Sequence, residues 1–317
     1  MESQRIVCLG EALVDFVCER PVPSLGAADF FVPRQGGSLA NIAVAAARFG
    51  GQAEMLGGAG DDEWGRWLRD RIAAEGVGIE RFVLMPGAGT SHAFVSVDQS
   101  GEPSFAFYGD PERPAAHAEA DIDPALDGEP GVLIVGSDTL LGVAEREVTM
   151  RAASVARERG WQVLCDPNLR PNRWETPEEM VRVISALVER ASVVKLNEGE
   201  AVALSGYAPV EAAGEWLRGL GPKAAVVTRG SEGALLLCGG RCDAIAAPHA
   251  EVVDATGAGD SVAGVVAAGL ARGVMPGDLA PVVEVAMRTA ARVVAVWGAT
   301  PGLPPAAEAR EQLDSAI

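Results

Sequence analysis

The chain has 317 residues, 48% apolar and 22% charged, enough for one large α/β core with an added lobe or for two ordinary domains, and too apolar for disorder. A formal net charge of -18 with no Lys/Arg run argues against a nucleic-acid partner and against an anionic membrane surface. A polyphosphate ligand would therefore need local dipoles and a metal to overcome the global field. In chain order, residues 6–10 read as a buried strand, entered with no signal-peptide pattern ahead of it. Residues 38–49 read as a helix of small residues, with Ser38 as N-cap and Gly50-Gly51 as its stop. Residues 54–57 read as a strand and 63–74 as a helix. The alternation resumes with a strand at 132–135, a helix at 144–159, a strand at 162–166, a helix at 177–190 and a strand at 192–196. Residues 224–228 and 234–238 read as strands, and 260–271 and 279–296 as helices.

Strand–helix alternation of this kind implies an α/β fold, a three-layer α/β/α sandwich on a mainly parallel sheet. Two stretches break it. Residues 13–33 carry Pro21, Pro23 and Pro33 and no helical period. Residues 92–108 alternate apolar side chains around the turn signal Gln99-Ser100-Gly101-Glu102. Both read as antiparallel strands of a small β-lobe. The expected division is a core of residues 1–12, 35–88 and 112–317, and a lobe of residues 13–34 and 89–111.

Five cysteines, Cys8, Cys18, Cys165, Cys238 and Cys242, form no C-x-x-C and read as reduced thiols of a cytoplasmic protein. Cys238 and Cys242 flank a Gly-Gly-Arg turn and could approach each other across a hairpin. His92, His117 and His249 show no metal-ligand spacing. No apolar run reaches the roughly 18 residues of a membrane span.

The strongest chemical signal is Asp254-Ala-Thr-Gly257-Ala258-Gly259-Asp260, between a strand-like 251–253 and a helix of small apolar residues. Backbone amides at such a helix start form an anion site. A carboxylate in the same place would repel a phosphate unless it faces an incoming hydroxyl, as a general base for phosphoryl transfer would. Gly58-Ala59-Gly60-Asp61 repeats the tetrapeptide, but Asp62-Glu63-Trp64 follow and crowd that helix start with carboxylates. Gln35-Gly36-Gly37-Ser38-Leu39-Ala40-Asn41 opens another helix, where Asn41 could serve a sugar hydroxyl or the segment could be a plain loop-to-helix junction. Asp15 could take two hydroxyls or stand as a lone surface Asp. Asn197 and Glu200 lie three apart, placed either to hold a hydrated Mg²⁺ or to form an ordinary N-cap with an acidic first turn. Residues 228–233 could hug a nucleotide or be a simple turn. No G-x-x-x-x-G-K-S/T, no kinase H-R-D and D-F-G set, no G-x-S-x-G elbow and no G-x-G-x-x-G after the first strand occur.

The order Gly10-Glu11…Asp15, Gly36-Gly37…Asn41, Gly60-Asp61…Gly65, Asp166-Pro-Asn168-Leu-Arg170, Asn197…Glu200, Thr228…Gly230…Gly233, Asp254…Asp260 and Gly298-Ala299 resembles the ribokinase-like (PfkB) carbohydrate kinases over nearly the whole length. The 166–171 stretch looks most like fructokinases, then 2-keto-3-deoxygluconate kinases. The resemblance implies a ribokinase-like fold with the β-lobe as a lid through which relatives often dimerise. It implies ATP-dependent phosphorylation of a small sugar, fructose preferred, with Asp260 as base and Gly257, Ala258 and Gly259 as anion hole. It places Asp15, Gly36, Gly37, Asn41, Phe107 and Arg170 at the sugar, and Lys195, Asn197, Thr228, Gly230, Gly233 and Gly298 at the nucleotide. Glu200 would act on Mg²⁺ through water, and Asp254 and Thr256 would form a potassium site. A 2-keto-3-deoxygluconate kinase, a nucleoside kinase and a non-catalytic sugar-binding regulator are the rival readings. Two departures stand out: Gly109 follows Phe107-Tyr108 where many members carry Arg, and Met287 stands where many carry Asn.

Overall fold

The computed structural model describes residues 3–110, 119–206 and 210–317. Seven parallel strands form most of a central sheet: β1 (Arg5–Glu11), β4 (Gln52–Gly60), β5 (Gly78–Met85), β8 (Val132–Val135), β9 (Gln162–Cys165), β10 (Val193–Asn197) and β11 (Ala224–Thr228). The hairpin strands β12 (Ala234–Cys238) and β13 (Arg241–Ile245) add an antiparallel edge. The order is β13-β12-β11-β10-β9-β8-β1-β4-β5.

Successive side chains of a strand face opposite sides, and that alternation creates the layers. Ile6 and Cys8 of β1 pack with α1 (Ser38–Arg48), α8 (Ala258–Ala271) and α9 (Ala280–Val293). Val7 and Leu9 pack with α4 (Val143–Glu158), α5 (Pro177–Val188) and α7 (Val210–Gly219). The result is the expected α/β/α sandwich. Helices α1 and α8 pack against each other through Ala45 and Gly264; a Cβ on Gly264 would stand 2.9 Å from the Ile42 carbonyl oxygen. This contact brings the first turns of the two helices together, and the candidate site sits there.

A second sheet has the order β3-β2-β6-β7, from β2 (Leu13–Pro21), β3 (Val32–Gly36), β6 (His92–Val97) and β7 (Pro103–Tyr108). Its outer pairs are antiparallel as expected, but β2 and β6 run parallel. The reason is topological. The chain enters β2 from the end of β1 and β6 from the end of β5, which are parallel strands of the main sheet. One face of this sheet (Leu13, Val17, Ala93, Val95, Val97) packs with Phe105, Phe107 and Trp297. The other carries Phe16, His92, Phe94 and Tyr108, stacked or edge-on to one another, with Trp64 against Phe16. The expected core–lobe boundary at residues 111 and 112, like His117, lies outside the described residues.

Several local expectations change. Ser38 is the first residue of α1 and Gly37 its cap; the Ser38 hydroxyl donates elsewhere. Residues 251–253 form no strand, because the amides of Val253 and Asp254 both donate to the Val294 carbonyl at the end of α9. That helix stops at Val293, earlier than its apolar period suggests. Cys238 pairs with Arg241 and Cys242 with Leu237, so the two thiols point to opposite faces of the hairpin and cannot bond. The five thiols are free. No helix among the described residues is long and apolar enough to cross a membrane.

Candidate active site

The carboxyl ends of β1, β8, β10 and β11 open into a cavity of about 480 Å³, walled on one side by the small sheet. In open α/β sheets this edge gathers loops and helix N-termini, and ligands bind there. Asp260 stands in the first turn of α8. Its Oδ1 accepts from Ser38 Oγ at 2.8 Å and its Oδ2 from Asn41 Nδ2 at 2.9 Å, both on the first turn of α1. The two helix starts thus converge on one carboxylate.

The turn before α8 is built by Asp254, which is fully buried. Its Oδ1 accepts from the Thr256 amide and its Oδ2 from the Gly298 amide, each at 2.9 Å. Gly257 follows at φ +79 and presses against Ala299, a conformation and a closeness that only glycine accommodates. Ala258 N turns back to the Ala255 carbonyl at 3.3 Å. The amides of Gly259 and Asp260 belong to the helix start, which has no intrahelical acceptors for them. Beneath this loop lies Lys195; a side chain on Gly259 would begin 2.5 Å from its Nζ. Lys195 Nζ donates to Asp166 Oδ2 at 3.1 Å, in a pair that is almost wholly buried.

Asp15 is buried against Gly36, and its Oδ1 finds no partner among the described residues. Arg170 lies across the Phe105 ring at 5.4 Å, and Arg173 across Phe107 at 5.6 Å. Asn168, beside them, holds φ +44, a region that asparagine tolerates better than most residues. Asn197 and Glu200 form a full capping box: the Asn197 side chain accepts from the Glu200 amide, and Glu200 accepts from the Asn197 amide. The other Glu200 oxygen accepts from Leu169 N at 2.7 Å. The capping reading of this pair is therefore the one realised directly.

The cavity is lined by Asp15, Gly37, Asn41, Phe107 and Arg170 on one side. Lys195, Asn197, Glu200 and Thr228 line another, and Thr256, Gly257, Ala258, Gly259 and Asp260 a third. Gly36, Asp254 and Gly298 sit behind it as supports. Gly230 and Gly233 lie in the turn between β11 and β12, outside the lining; Gly233 abuts the Ile245 carbonyl, so its missing side chain serves strand packing. The second copy of the tetrapeptide ends at Asp61, and Asp62 caps α2 (Glu63–Ala74) by accepting from Gly65 N at 2.9 Å. That helix start is already filled by its own carboxylate, as expected.

Burial dominates the electrostatics. It raises the Asp260 carboxyl against the pull of Asn41, Lys195, Ser38 and Arg170. It pushes Asp15 up to about 7, with Asp260 and Asp254 adding to the rise and Arg170 opposing it. Asp166 is likewise pushed up to about 7, against the Lys195 ammonium. For Lys195 burial pulls down, but Asp166, Glu200 and Asp260 outweigh it and keep the ammonium charged.

A family model described as pfkB family carbohydrate kinase matches residues 3–306. The chain belongs to this family and is a sugar kinase. It is 35% identical over 265 residues to fructokinase-1 of Oryza sativa subsp. japonica, covering 83% of this chain and 81% of that one. It is 32% identical over 319 residues to probable fructokinase-4 of Arabidopsis thaliana, covering 98% and 97%. A fructokinase from Vibrio cholerae O395, solved with fructose, ADP and calcium ion bound, superposes with TM-score 0.85 at 27% identity over 99% of this chain and 100% of its own. An aminoimidazole riboside kinase from Salmonella enterica, complexed with aminoimidazole riboside and an ATP analog, superposes with TM-score 0.82 at 27% identity, covering 98% and 100%. The ribokinase-like sandwich read from the motifs is thus the fold of this pfkB kinase.

Several residues carried no site role in the sequence: Ser38, Glu11, Asp138, Asn168 and Phe105, which line the cleft, and Asp166, buried behind it. Glu11 and Asp166 share one signal: each ends or directly follows a strand of the parallel sheet, where a polar residue has little structural reason to be buried.

Proposed function

We propose that this pfkB kinase transfers the γ-phosphoryl group of ATP to a hydroxyl of a ketohexose, with fructose as the first candidate. The observation that carries the reading is Asp260, gripped through both oxygens by α1 and set at the amide-lined start of α8, in the same cleft as Asp15. A carboxylate so placed can accept the proton of a hydroxyl while the amides of Gly257 and Gly259 receive the transferred phosphoryl oxygens. Asp15, Gly37 and Asn41 hold the sugar, with Phe107 and Arg170 covering it and Gly36 supporting Asp15. Lys195, Asn197 and Thr228 face the nucleotide.

The cleft is rich in carboxylates, so a polyphosphate enters only with a cation. A divalent ion fits beside Asn197 and Glu200, held through water because both Glu200 oxygens already accept amides. It would offset the charge on the phosphates; Mg²⁺ is the natural choice beside ATP. Thr256 Oγ1 is buried next to Asp254 without a partner among the described residues, which suits a potassium ion at that turn. The small sheet acts as a lid over the sugar. Its aromatic face, with Tyr108 52% and Trp64 39% exposed, pairs two copies of the chain, which sedimentation at rising concentration would read.

The test is ADP release with MgATP over ketohexoses, aldoses, keto-deoxy acids and nucleosides. Turnover with a ketohexose supports the proposal; silence with every acceptor removes it.

A further inference from the structure

The loop of residues 166–173 follows β9 and runs along the cleft, where it presents Asn168 and Arg170. At its start the Pro167 carbonyl accepts from Ser137 N at 3.2 Å. Asn168 then takes φ +44, which a residue other than glycine keeps only where its surroundings hold it. The carbonyls of Asn168 and Leu169 accept from Arg170 Nη1, bonds made inside the loop. The Leu169 amide reaches out of the loop, donating to Glu200 Oε1 at 2.7 Å.

Glu200 stands in the first turn of α6 (Glu198–Ser205) and is 8% exposed. Its Oε2 accepts from Asn197 N, also at 2.7 Å. Both contacts have the short length of a charge-assisted hydrogen bond. The capping box uses only the contact to Asn197. The contact to Leu169 has no part in starting the helix; it ties the acceptor-side loop to the turn that carries Asn197. Glutamine cannot reproduce this arrangement, because its single acceptor oxygen serves one amide and its NH2 group would face the other N–H.

We propose that Glu200 is a positioning residue for the acceptor sugar: through Leu169 N its carboxylate sets the loop that presents Asn168 and Arg170, and through Asn197 N it sets the turn that faces the nucleotide. This rests on the acceptor site proposed above. The role is separate from holding a hydrated cation, since both bonds are made by the chain alone. Arg170 lies across Phe105 of the small sheet, so a loop released at Leu169 also loosens the cover over the sugar.

The test compares the full-length wild type with Glu200→Gln, free of nucleotide and with EDTA present. Amide exchange read by NMR should be about tenfold faster over residues 166–173 in the variant, with the strands of the main sheet unchanged. Calorimetric binding of D-fructose under the same conditions should weaken by about tenfold. A role confined to the metal would leave both readouts at wild-type values, and that result overturns the inference. Exchange that quickens throughout the chain overturns it too, since that marks general destabilisation, as does a quicker loop with unchanged fructose affinity. If the variant does not fold, the wild-type Leu169 amide decides: exchange slower than that of an exposed amide by about tenfold or more sustains the anchor, and equal exchange overturns it. A quicker loop in the variant, with no fructose binding by the wild type, sustains Glu200 as the anchor of the loop and removes fructose as the acceptor.

Discussion

Deleting the Ser38 hydroxyl tests the site through its base. Ser38 Oγ donates to Asp260 Oδ1 at 2.8 Å, a charge-assisted contact, and hydrogen bonds to charged groups contribute roughly 1.5–3 kcal/mol. Asp260 is half-buried, so water recovers part of that in the Ser38→Ala variant, which leaves about 1.4 kcal/mol, or about one pKa unit. The sign follows from what the bond does: it stabilises the ionised carboxylate, so its loss raises a carboxyl that burial has already raised. A general base must be ionised, so the acidic limb of the kcat/KM profile should move up by about one pH unit. Initial rates of ADP release across about pH 5 to 9 would show it, with activity falling about tenfold below the limb and little on the plateau. A limb that stays in place while the whole profile drops evenly would refute the reasoning, since Ser38 would then position substrate without touching the proton acceptor.

Further outcomes follow from the same contacts. Lys195→Met strands Asp166 in the core; breaking a buried pair costs about 3–5 kcal/mol. Because burial pushes the Asp166 carboxyl up and loss of the Lys195 charge raises it further, it can escape that cost by taking a proton. Urea unfolding should therefore show a loss of about 3 kcal/mol near pH 8 and distinctly less near pH 6; equal losses would contradict this. Gly101 holds φ +83 at the tip of the β6–β7 turn, against Val252, and its carbonyl accepts from Ala255 N at 2.9 Å. Gly101→Val should lift the tip from the loop that carries Asp254 and lower kcat by about one to two orders of magnitude, so wild-type kcat would dismiss that contact. Glu11, Asp15 and Asp166 have folded values of about 8, 7 and 7 against ordinary values of 4.5, 3.8 and 3.8. Across that window the native state binds more protons than the unfolded chain, so their stabilisation is complete below the ordinary values and lost as pH rises through 7 to 8. Calorimetric Tm of the ligand-free protein should fall from about pH 5.5 to 8.5; a rise over that range would show that these carboxyls are not buried as described.

Much of this architecture is legible in the sequence because period and punctuation act locally. The apolar runs of β1, β8, β9, β10, β11 and β12 and the helices α1, α4, α5, α8 and α9 all follow from them. Strands β5 and β13 escape because their patterns are diluted by polar residues; Gly78–Met85 is half-exposed, and Arg241–Ile245 is an edge. The short α6 (Glu198–Ser205) and the terminal α10 (Ala306–Asp314) escape for lack of a strong apolar face. In the site, Asp260, Asn41 and Asp15 announce themselves beside glycines. Ser38 looks like a cap, because its real partner lies 222 residues away. Glu11 and Asp138 are invisible as a pair, because only the sheet order makes β1 and β8 neighbours. Glycines 230 and 233 hold φ +56 and +91 in the β11–β12 turn, a backbone need that looks in sequence the same as a ligand motif.

The most direct measurement is the turnover of Asp260→Asn with MgATP and a ketohexose, paired with calorimetric binding of that sugar. The amide keeps the shape of the side chain and its place between the two helix starts, and loses the capacity to accept a proton. Turnover should fall by roughly two to four orders of magnitude while sugar binding changes by less than about tenfold. Turnover within about tenfold of wild type would contradict the assignment of this carboxylate as the proton acceptor.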